Sequence, residues 1–360
     1  MIKIFKINIL LLLLISIGCT KDITNVNEYT SVDLNSMFSS SKQSSATIQN
    51  VSTFKDILRF KTLEDFELAR KTLLEMQFSE ISSFNAKYID ESKEDFEYLD
   101  KIAEEIGFSE ENIYEQFNSA LNFNSLRIKI NKEEAEFLNN ENPNWEENPI
   151  SHFLGTPDFF TLINPFNEYM IGDMIYKTFE DGLTLIVNDK DYDAILELRE
   201  NREDYVNIPS VSVYNDDNIS EKYSSTNKTN GNGCRMNRGK VNYQQYNKYG
   251  SLYKVYKKAG IADIGLVDWT YTTMTHYKKQ GLKWKKSAAP IQSEVNTTVR
   301  RFYSCRFNEN LSSSASYTLK SLYTNSQGNG PHVMMAIRRN GCSATYKANY
   351  VNLSPIYVSW

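Results

Sequence analysis

The sequence predicts an α+β fold, in which a mixed helical domain with a β-hairpin is followed by an antiparallel, all-β, sandwich-like domain. Apolar residues recur at helical spacing through much of residues 53–214. Residues 215–233 are almost entirely Asn, Ser, Thr, Asp, Lys and Gly, a composition that cannot bury a core. Residues 234–360 alternate short runs rich in Tyr and Thr with Gly and Asn turns. We therefore expect a polar linker at 215–233 between an acidic α+β domain and a basic all-β domain.

Local signals place the first elements of the helical domain. Residues 57–61 alternate apolar and basic side chains and predict a short strand. Thr62 followed by Asp65 has the spacing of a capping box, in which each side chain accepts a hydrogen bond from the other residue's backbone amide. We therefore expect a helix from Thr62 onward, a second helix that stops at Gly107, and a third that begins at Ser109.

Strand signals return near the end of the first domain. The runs 169–179 and 183–187 flank Asp181-Gly182, a pair suited to the positive φ angles of a tight hairpin turn. A short helix is expected at residues 192–199, where it closes the domain.

The second domain is predicted to contain several short strands without helices. Their turns are expected at residues 325–330 and at Asn340-Gly341. This pattern favours an antiparallel sandwich or a small barrel, and we take the sandwich as the prediction. The expected strands are 242–256, 266–277, 299–307, 316–323, 333–339 and 343–351.

Charge divides the chain near the same boundary. Residues 231–360 contain 19 Lys and Arg against 4 Asp and Glu, whereas residues 20–230 contain 19 against 41. The net charge of −5 for the whole sequence therefore conceals two oppositely charged domains. Opposite charges favour docking of the domains on each other, and a basic domain also attracts polyanions.

The first 18 residues have the three parts of an export signal. Lys3 and Lys6 come first, an apolar run follows at residues 9–17, and a small residue precedes a cysteine in Gly18-Cys19. The apolar run is about half of the roughly 20 residues that a membrane-spanning helix needs. We therefore predict a signal peptide that is removed before Cys19, and a polar, flexible tether over residues 19–52.

The segment Ser16-Ile17-Gly18-Cys19 resembles the lipobox of bacterial lipoproteins, in which the cysteine receives a lipid before cleavage. Ser16 departs from the usual Leu, as in the looser lipoboxes of Bacteroidetes. The resemblance implies a membrane anchor on Cys19, with a fatty acyl group such as palmitate, at the outer membrane on either its periplasmic or its external face. The alternative is an ordinary secretory signal in which Cys19 is incidental.

Longer motifs extend this resemblance. Segments 60–66, 169–177, 260–265 and 281–286 are similar to those of uncharacterised Bacteroidetes lipoproteins that carry domains of unknown function. The similarity spans most of the chain after Cys19 in short, degenerate motifs. The resemblance implies a location at the cell envelope and assigns no functional residue.

Cys234, Cys305 and Cys342 remain after Cys19. None forms a CxxC pair, so the patterns of zinc ribbons and thioredoxin-like proteins are absent. An oxidising envelope allows one disulfide among three pairings. We predict Cys305 with Cys342 because both lie in strand-like segments, and three reduced thiols are the alternative.

No catalytic residue, metal ligand or cofactor is predicted. His152, His276 and His332 belong to no HExxH or HxH pair. The sequence contains no GxSxG elbow, no GxxxxGK[ST] loop and no GxGxxG after a strand, which argues against nucleotide cofactors and α/β-hydrolase chemistry. The two carboxylates of a glycan hydrolase need only meet in space, so this enzyme class stays an alternative.

Cations are interleaved with aromatic residues in the basic domain. Lysines can pair with phosphate or sulfate groups, and aromatic rings can stack on sugars or bases. The alternative is that this surface docks on the acidic domain or on a partner protein. The residues predicted to contact a ligand are Tyr253, Tyr256, Tyr277, Lys278, Lys279, Trp284, Lys285 and Lys286.

The function predicted from these observations is a lipid-anchored cell-envelope protein that acts as a non-enzymatic binding or structural module. One alternative is a surface protein that binds glycans or polyanions through the basic aromatic β domain. The other is a carboxylate-dependent glycan hydrolase. The expected partners are the membrane, through the lipid anchor, and a glycan, a polyanion or an envelope protein.

Overall fold

The computed structural model describes residues 29–33, 47–88, 96–141, 143–152, 155–179, 183–214, 242–249, 252–263, 268–289, 291–301, 306–317, 326–327, 337–348 and 351–359. The helices in these ranges are α1 (Leu63–Tyr88), α2 (Phe96–Glu105), α3 (Asn112–Ala120), α4 (Leu126–Asn139), α5 (Pro157–Leu162) and α6 (Tyr192–Glu200). The strands before residue 220 are β1 (Thr30–Asp33), β2 (Thr47–Phe54), β3 (Ile57–Phe60), β4 (Glu168–Ile171), β5 (Met174–Thr178), β6 (Thr184–Asn188) and β7 (Val211–Val213).

The later strands are β8 (Asn242–Tyr249), β9 (Tyr253–Asp263), β10 (Asp268–Gln280), β11 (Lys283–Lys286), β12 (Ile291–Arg301), β13 (Arg306–Tyr317), β14 (Ser326–Gln327), β15 (Ile337–Ala348) and β16 (Val351–Ser359). Helices and antiparallel sheets therefore combine as the α+β prediction requires, and the fold class is confirmed.

Strands β1 to β7 form one sheet in sequence order. All neighbours are antiparallel except β3 and β4, which are parallel and are joined by the crossover that contains α1 to α5. One face packs against α1, where the ring of Phe66 lies 5.2 Å from those of Phe60 and Tyr169. The other face packs against α6, where Ile175 and Ile195 share a cluster. The predicted hairpin is thus part of a larger sheet with helices packed on both faces.

Hydrogen bonds at the helix ends explain where the first helices begin and stop. The capping box is present, because Thr62 Oγ1 accepts from the Asp65 amide at 3.2 Å and Asp65 Oδ2 accepts from the Thr62 amide at 3.0 Å. Helix α2 ends just before Gly107, which has a φ of 67°. The predicted start of the third helix at Ser109 is wrong, because its hydroxyl accepts from the Glu111 amide within a turn, and α3 begins at Asn112.

Several elements differ from the expected boundaries. The run 169–179 is broken by a turn at Gly172, whose φ of 58° separates β4 from β5. Strands β5 and β6 are antiparallel as predicted, while Asp181-Gly182 lies outside the described residues. Helix α4 was not expected, and β1 with most of β2 falls in the range assigned to the tether.

The described residues of the predicted second domain form two antiparallel sheets. The first has the order β11-β10-β9-β8 with β14 also paired to β10, and the second has the order β13-β12-β15-β16. The expected strand 242–256 is two strands, β8 and β9. The expected turn at Asn340-Gly341 is instead a bulge inside β15, because Gly341 pairs with Thr298 and Arg339 pairs with the next residue, Val299.

The five-stranded sheet is the middle layer of the protein. Side chains alternate between the two faces of a strand. On one face, Tyr256 and Tyr277 belong to the cluster that contains Trp145 of the first domain. On the other face, Val255 lies in a cluster with Tyr346 of the four-stranded sheet. The two predicted domains therefore share a hydrophobic cluster, and the linker predicted at 215–233 lies outside the described residues.

No helix in the described ranges combines the length and the apolar character needed to cross a membrane.

Candidate functional site

The residues predicted to bind a ligand fall into two groups. Tyr256, Tyr277 and Trp284 are buried, and Lys285 and Lys286 lie beside them at the contact with the first domain. The second group is partly exposed at one end of the β10–β11 hairpin and comprises Tyr253, Lys278 and Lys279. We call the first group, together with its partners from the first domain, the domain interface.

An aromatic cage in the domain interface holds a lysine of the protein itself. The ammonium of Lys254 lies 4.3 Å from the ring centre of Trp145 and 4.5 Å from that of Trp284. The two indole rings meet edge to face at 5.4 Å, and Tyr277 lies 5.1 Å from Trp145. A cation over indole faces is attracted by their quadrupoles, most strongly where water is excluded. Trp284 therefore already binds a cation of the protein itself, and Tyr277 packs against the other ring of the cage, Trp145.

Glu134 of α4 is the charged centre of the domain interface. Its side chain is buried, and Tyr277 donates its hydroxyl to Oε1 at 2.7 Å. The ammonium of Lys286 lies 2.7 Å from Oε2. A buried carboxylate is tolerated when such partners replace its water, so both oxygens of Glu134 are satisfied from the second domain.

A second carboxylate of the first domain lies close to this centre. The guanidinium of Arg127 donates from Nε to Oε2 of Glu111 at 2.7 Å. Burial alone would raise the pKa of Glu111, but the charge and hydrogen bonds of Arg127, with Lys286 nearby, hold that pKa below its ordinary value. Glu111 is therefore ionised at neutral pH.

Further contacts join the two domains at β11 and at the segment that follows it. Lys285 forms an ion pair with Glu104 of α2. The Ala288 amide donates to Asp100 Oδ1 at 3.0 Å. Five of the eight predicted ligand residues thus lie in or beside the contacts between the two domains, and their ligand-binding role stays a prediction.

Two neighbouring lysines of β9 project to opposite faces of the middle layer. Lys258 donates to the Ile150 carbonyl at 3.0 Å and lies near the ring of Tyr271. Lys257 donates to the Ser354 carbonyl at 2.6 Å. Burial lowers the pKa of Lys258 to about 7 and that of Lys257 to about 8, because an ammonium loses hydration in the interior.

His276 and Ser287 form a buried pair between β10 and the segment that follows β11. Nδ1 of His276 lies 2.8 Å from the Ser287 hydroxyl, and the imidazole stacks on Tyr253 at 5.5 Å. Burial lowers the pKa of His276 to about 4, so its ring is neutral at pH 7. Both side chains are almost fully covered, and their hydrogen bond therefore fixes the local backbone.

Arginine-centred acid pairs were missed by the sequence reasoning. Arg70 contacts Glu67 on its own helix and Asp158 of α5, 88 positions away. Burial raises the pKa of Glu67 despite the Arg70 charge. Each carboxylate lies beside the same guanidinium in the interior. The members are too distant in the sequence for a local pattern to predict the cluster.

A similar cluster lies on the interior strands β4 and β5 of the seven-stranded sheet. Glu168 is buried and accepts from Lys177 at 3.0 Å and from Arg199 Nε at 3.0 Å. Arg199 also donates to Asp56, which accepts from the Tyr192 hydroxyl at 2.7 Å. Two acids and two bases balance here, so the cluster carries no net charge for a ligand to neutralise.

The end of the β10–β11 hairpin presents a different surface. We call it the basic hairpin end and define it as Leu252, Tyr253, Lys278, Lys279, Leu282 and Lys283. The Lys279 amide donates to the Leu252 carbonyl at 2.7 Å, which joins the start of β9 to this hairpin. In the described part of the chain, Lys279 and Lys283 form no ion pair, and Lys283 contacts the Asn139 side chain at 3.5 Å.

The remaining predicted sites are only partly described. Cys19 and Cys305 lie outside the described residues, and Cys342 is placed in β15 opposite Thr297 and Val358. The disulfide and the lipid site therefore stay predictions. No group of three or more His, Cys, Asp or Glu side chains is placed to hold a metal ion among the residues that the structure describes.

Comparisons with known proteins add little to this geometry. No family model and no curated protein matches the chain. Among solved structures, the crystal structure of a DUF4848 family protein from Bacteroides thetaiotaomicron VPI-5482 is similar, with 12% sequence identity over 84% of this chain and 95% of that one. The TM-score is 0.18, and a likeness this weak carries no argument about fold or function.

The Glu134 contacts predict a large loss of stability when its charge is removed. In Glu134→Gln, the Lys286 ammonium loses its carboxylate in a poorly hydrated site, and we expect a fall of about 3 kcal/mol in the free energy of unfolding. The matched control is Glu133→Gln, a half-exposed neighbour on the same helix, with an expected change below about 0.5 kcal/mol. Urea unfolding measures both, and equal effects would contradict the role given to Glu134.

The buried lysines predict that stability rises with pH. The folded pKa of Lys258 lies below its unfolded value, so the unfolded chain binds more protons between about pH 7 and about pH 10. Each such group adds at most about 1.4 kcal/mol of stability per pH unit in this window. We expect Lys258→Met to lower the slope measured by urea unfolding at pH 7, 8 and 9, and the exposed-site control Lys71→Met to preserve it. An unchanged slope in Lys258→Met would refute the assignment.

Proposed function

We propose that the protein is a lipid-anchored cell-envelope protein, held at the outer membrane by lipid on Cys19, that binds a polyanion without an enzymatic activity. Binding takes place at the basic hairpin end. The observation that carries this proposal is the separation of the lysines into two sets. Lys254, Lys285 and Lys286 meet acids or aromatic rings, whereas Lys279 and Lys283 at the hairpin end form no ion pair within the described residues.

The contacts of the domain interface support this function. Glu134 and Trp145 of the first domain hold β10 and β11 through Tyr277, Lys286 and Trp284. The hairpin is therefore fixed over its inner half, and its outer half presents lysines at defined positions. A preorganised cationic surface loses less conformational entropy on binding than a flexible one.

The lipid anchor rests on the apolar run that ends in Gly18-Cys19. We expect metabolic labelling with an alkyne fatty acid to label the native protein and the control Cys234→Ser, and to leave Cys19→Ser unlabelled. Mass spectrometry of the mature N-terminus gives an independent check. An unacylated N-terminus in the native protein would overturn the anchor.

Polyanion binding predicts retention on immobilised dextran sulfate at low salt. The combined variant Lys278→Gln, Lys279→Gln and Lys283→Gln should elute at lower salt and show a shallower dependence of log affinity on log salt, since fewer counterions are released. The matched control removes three charges from the first domain at exposed helical sites, in Lys71→Gln, Lys101→Gln and Lys129→Gln. Equal elution of the two variants would contradict binding at the hairpin end.

A further inference from the structure

Two leucines project into solvent at the basic hairpin end. Leu252 directly precedes β9, and Leu282 lies in the turn between β10 and β11. Their exposed fractions are 49% and 60%. The hydrogen bond from the Lys279 amide to the Leu252 carbonyl places the start of β9 beside the hairpin. Exposed apolar side chains gain free energy when a partner removes them from water.

The charged residues in the sequence around these leucines have one sign. Residues 249–262 and 269–293 contain no Asp or Glu. Two acids of the first domain that approach the hairpin, Glu104 and Glu134, are paired with Lys285 and Lys286. The hairpin end therefore combines exposed leucines with cations that have no acidic neighbour in either segment.

Isolated surface leucines are ordinary in soluble proteins. Exposed leucines beside lysines instead suit an anionic membrane interface. There the apolar side chains enter the boundary between headgroups and acyl chains, and the ammonium groups stay among the headgroups. A soluble sulfated or phosphorylated chain offers charge but no apolar phase. The combination on this surface therefore favours a bilayer over a soluble polyanion.

We infer that the basic hairpin end docks on the surface of an anionic lipid bilayer, with Leu252 and Leu282 inserted and Lys278, Lys279 and Lys283 against the headgroups. This inference rests on the proposed polyanion binding and names its partner as an array of anionic lipid headgroups. It gives the protein a second contact with a membrane, separate from any lipid on Cys19.

The test uses the mature chain with Cys19→Ser, so that no acyl group contributes to binding. Co-sedimentation is measured with vesicles of phosphatidylglycerol and phosphatidylcholine in equal parts, and with vesicles of phosphatidylcholine alone. We expect binding to the anionic vesicles only. Leu252→Ser with Leu282→Ser should lower vesicle affinity at least about tenfold and leave retention on dextran sulfate unchanged.

Two controls separate the sources of binding. Leu68→Ser with Leu196→Ser removes two exposed leucines from α1 and α6, and vesicle affinity should not change. The triple lysine variant should lose both vesicle binding and dextran sulfate retention. Native vesicle affinity in the Leu252 and Leu282 variant would overturn the bilayer inference while polyanion binding stands. A native protein that binds neither vesicles nor dextran sulfate would overturn both.

A fluorescent variant gives a direct measure of insertion. Leu282→Trp places an indole at the exposed turn, and its emission, taken as the difference from the native protein, should shift to the blue with anionic vesicles. Phosphatidylcholine vesicles should give no shift. An indole that stays in water with both kinds of vesicle would overturn the insertion of this turn.

Discussion

A lysine ammonium enters a protein interior only where an acceptor or an aromatic face replaces its water, and this constraint governs the middle layer. Lys254 meets two indole rings, Lys258 meets a backbone carbonyl, and Lys286 meets Glu134. The first domain supplies Trp145 and the other partners of these cations, with Trp284 completing the cage. The five-stranded sheet therefore depends on the first domain for more than apolar cover.

The same constraint shows where the opposite charges of the two halves of the chain meet. Among the described residues, Lys285 pairs with Glu104 and Lys286 pairs with Glu134, so acids of the first domain hold the second domain at defined positions. The long-range attraction between the halves is screened at physiological salt beyond about 8 Å. The buried contacts of Glu134 with Tyr277 and Lys286, rather than the net charges of the two halves, therefore define how the five-stranded sheet packs on the first domain.

Features that depend on adjacent residues could be predicted from the sequence. The capping box of Thr62 and the stop before Gly107 arise from hydrogen bonds and backbone angles within one turn. Helix α4 also has a local signal, since Leu126, Ile130 and Phe137 recur at helical spacing. The sequence therefore predicts a helix where the signal lies in neighbouring residues.

Features that depend on distant residues could not be derived in this way. The Tyr277 hydroxyl donates to Glu134, which lies 143 positions away in the sequence. No local pattern distinguishes a lysine that is buried from one that is exposed to solvent. Asn340-Gly341 has the composition of a turn, yet β12 continues to pair on both sides of it, so the extra residue is accommodated as a bulge. Contacts between residues far apart in the sequence determine both features.

The parallel pairing of β3 with β4 has a consequence for how the chain reaches this structure. The two strands meet only after a crossover that contains five helices, and closing so long a segment costs entropy before the new contacts repay it. Topologies rich in such distant pairings fold slowly. During that delay, the unpaired edge of β3 is open to pairing with other chains, and this route to aggregation closes only when β4 pairs with it.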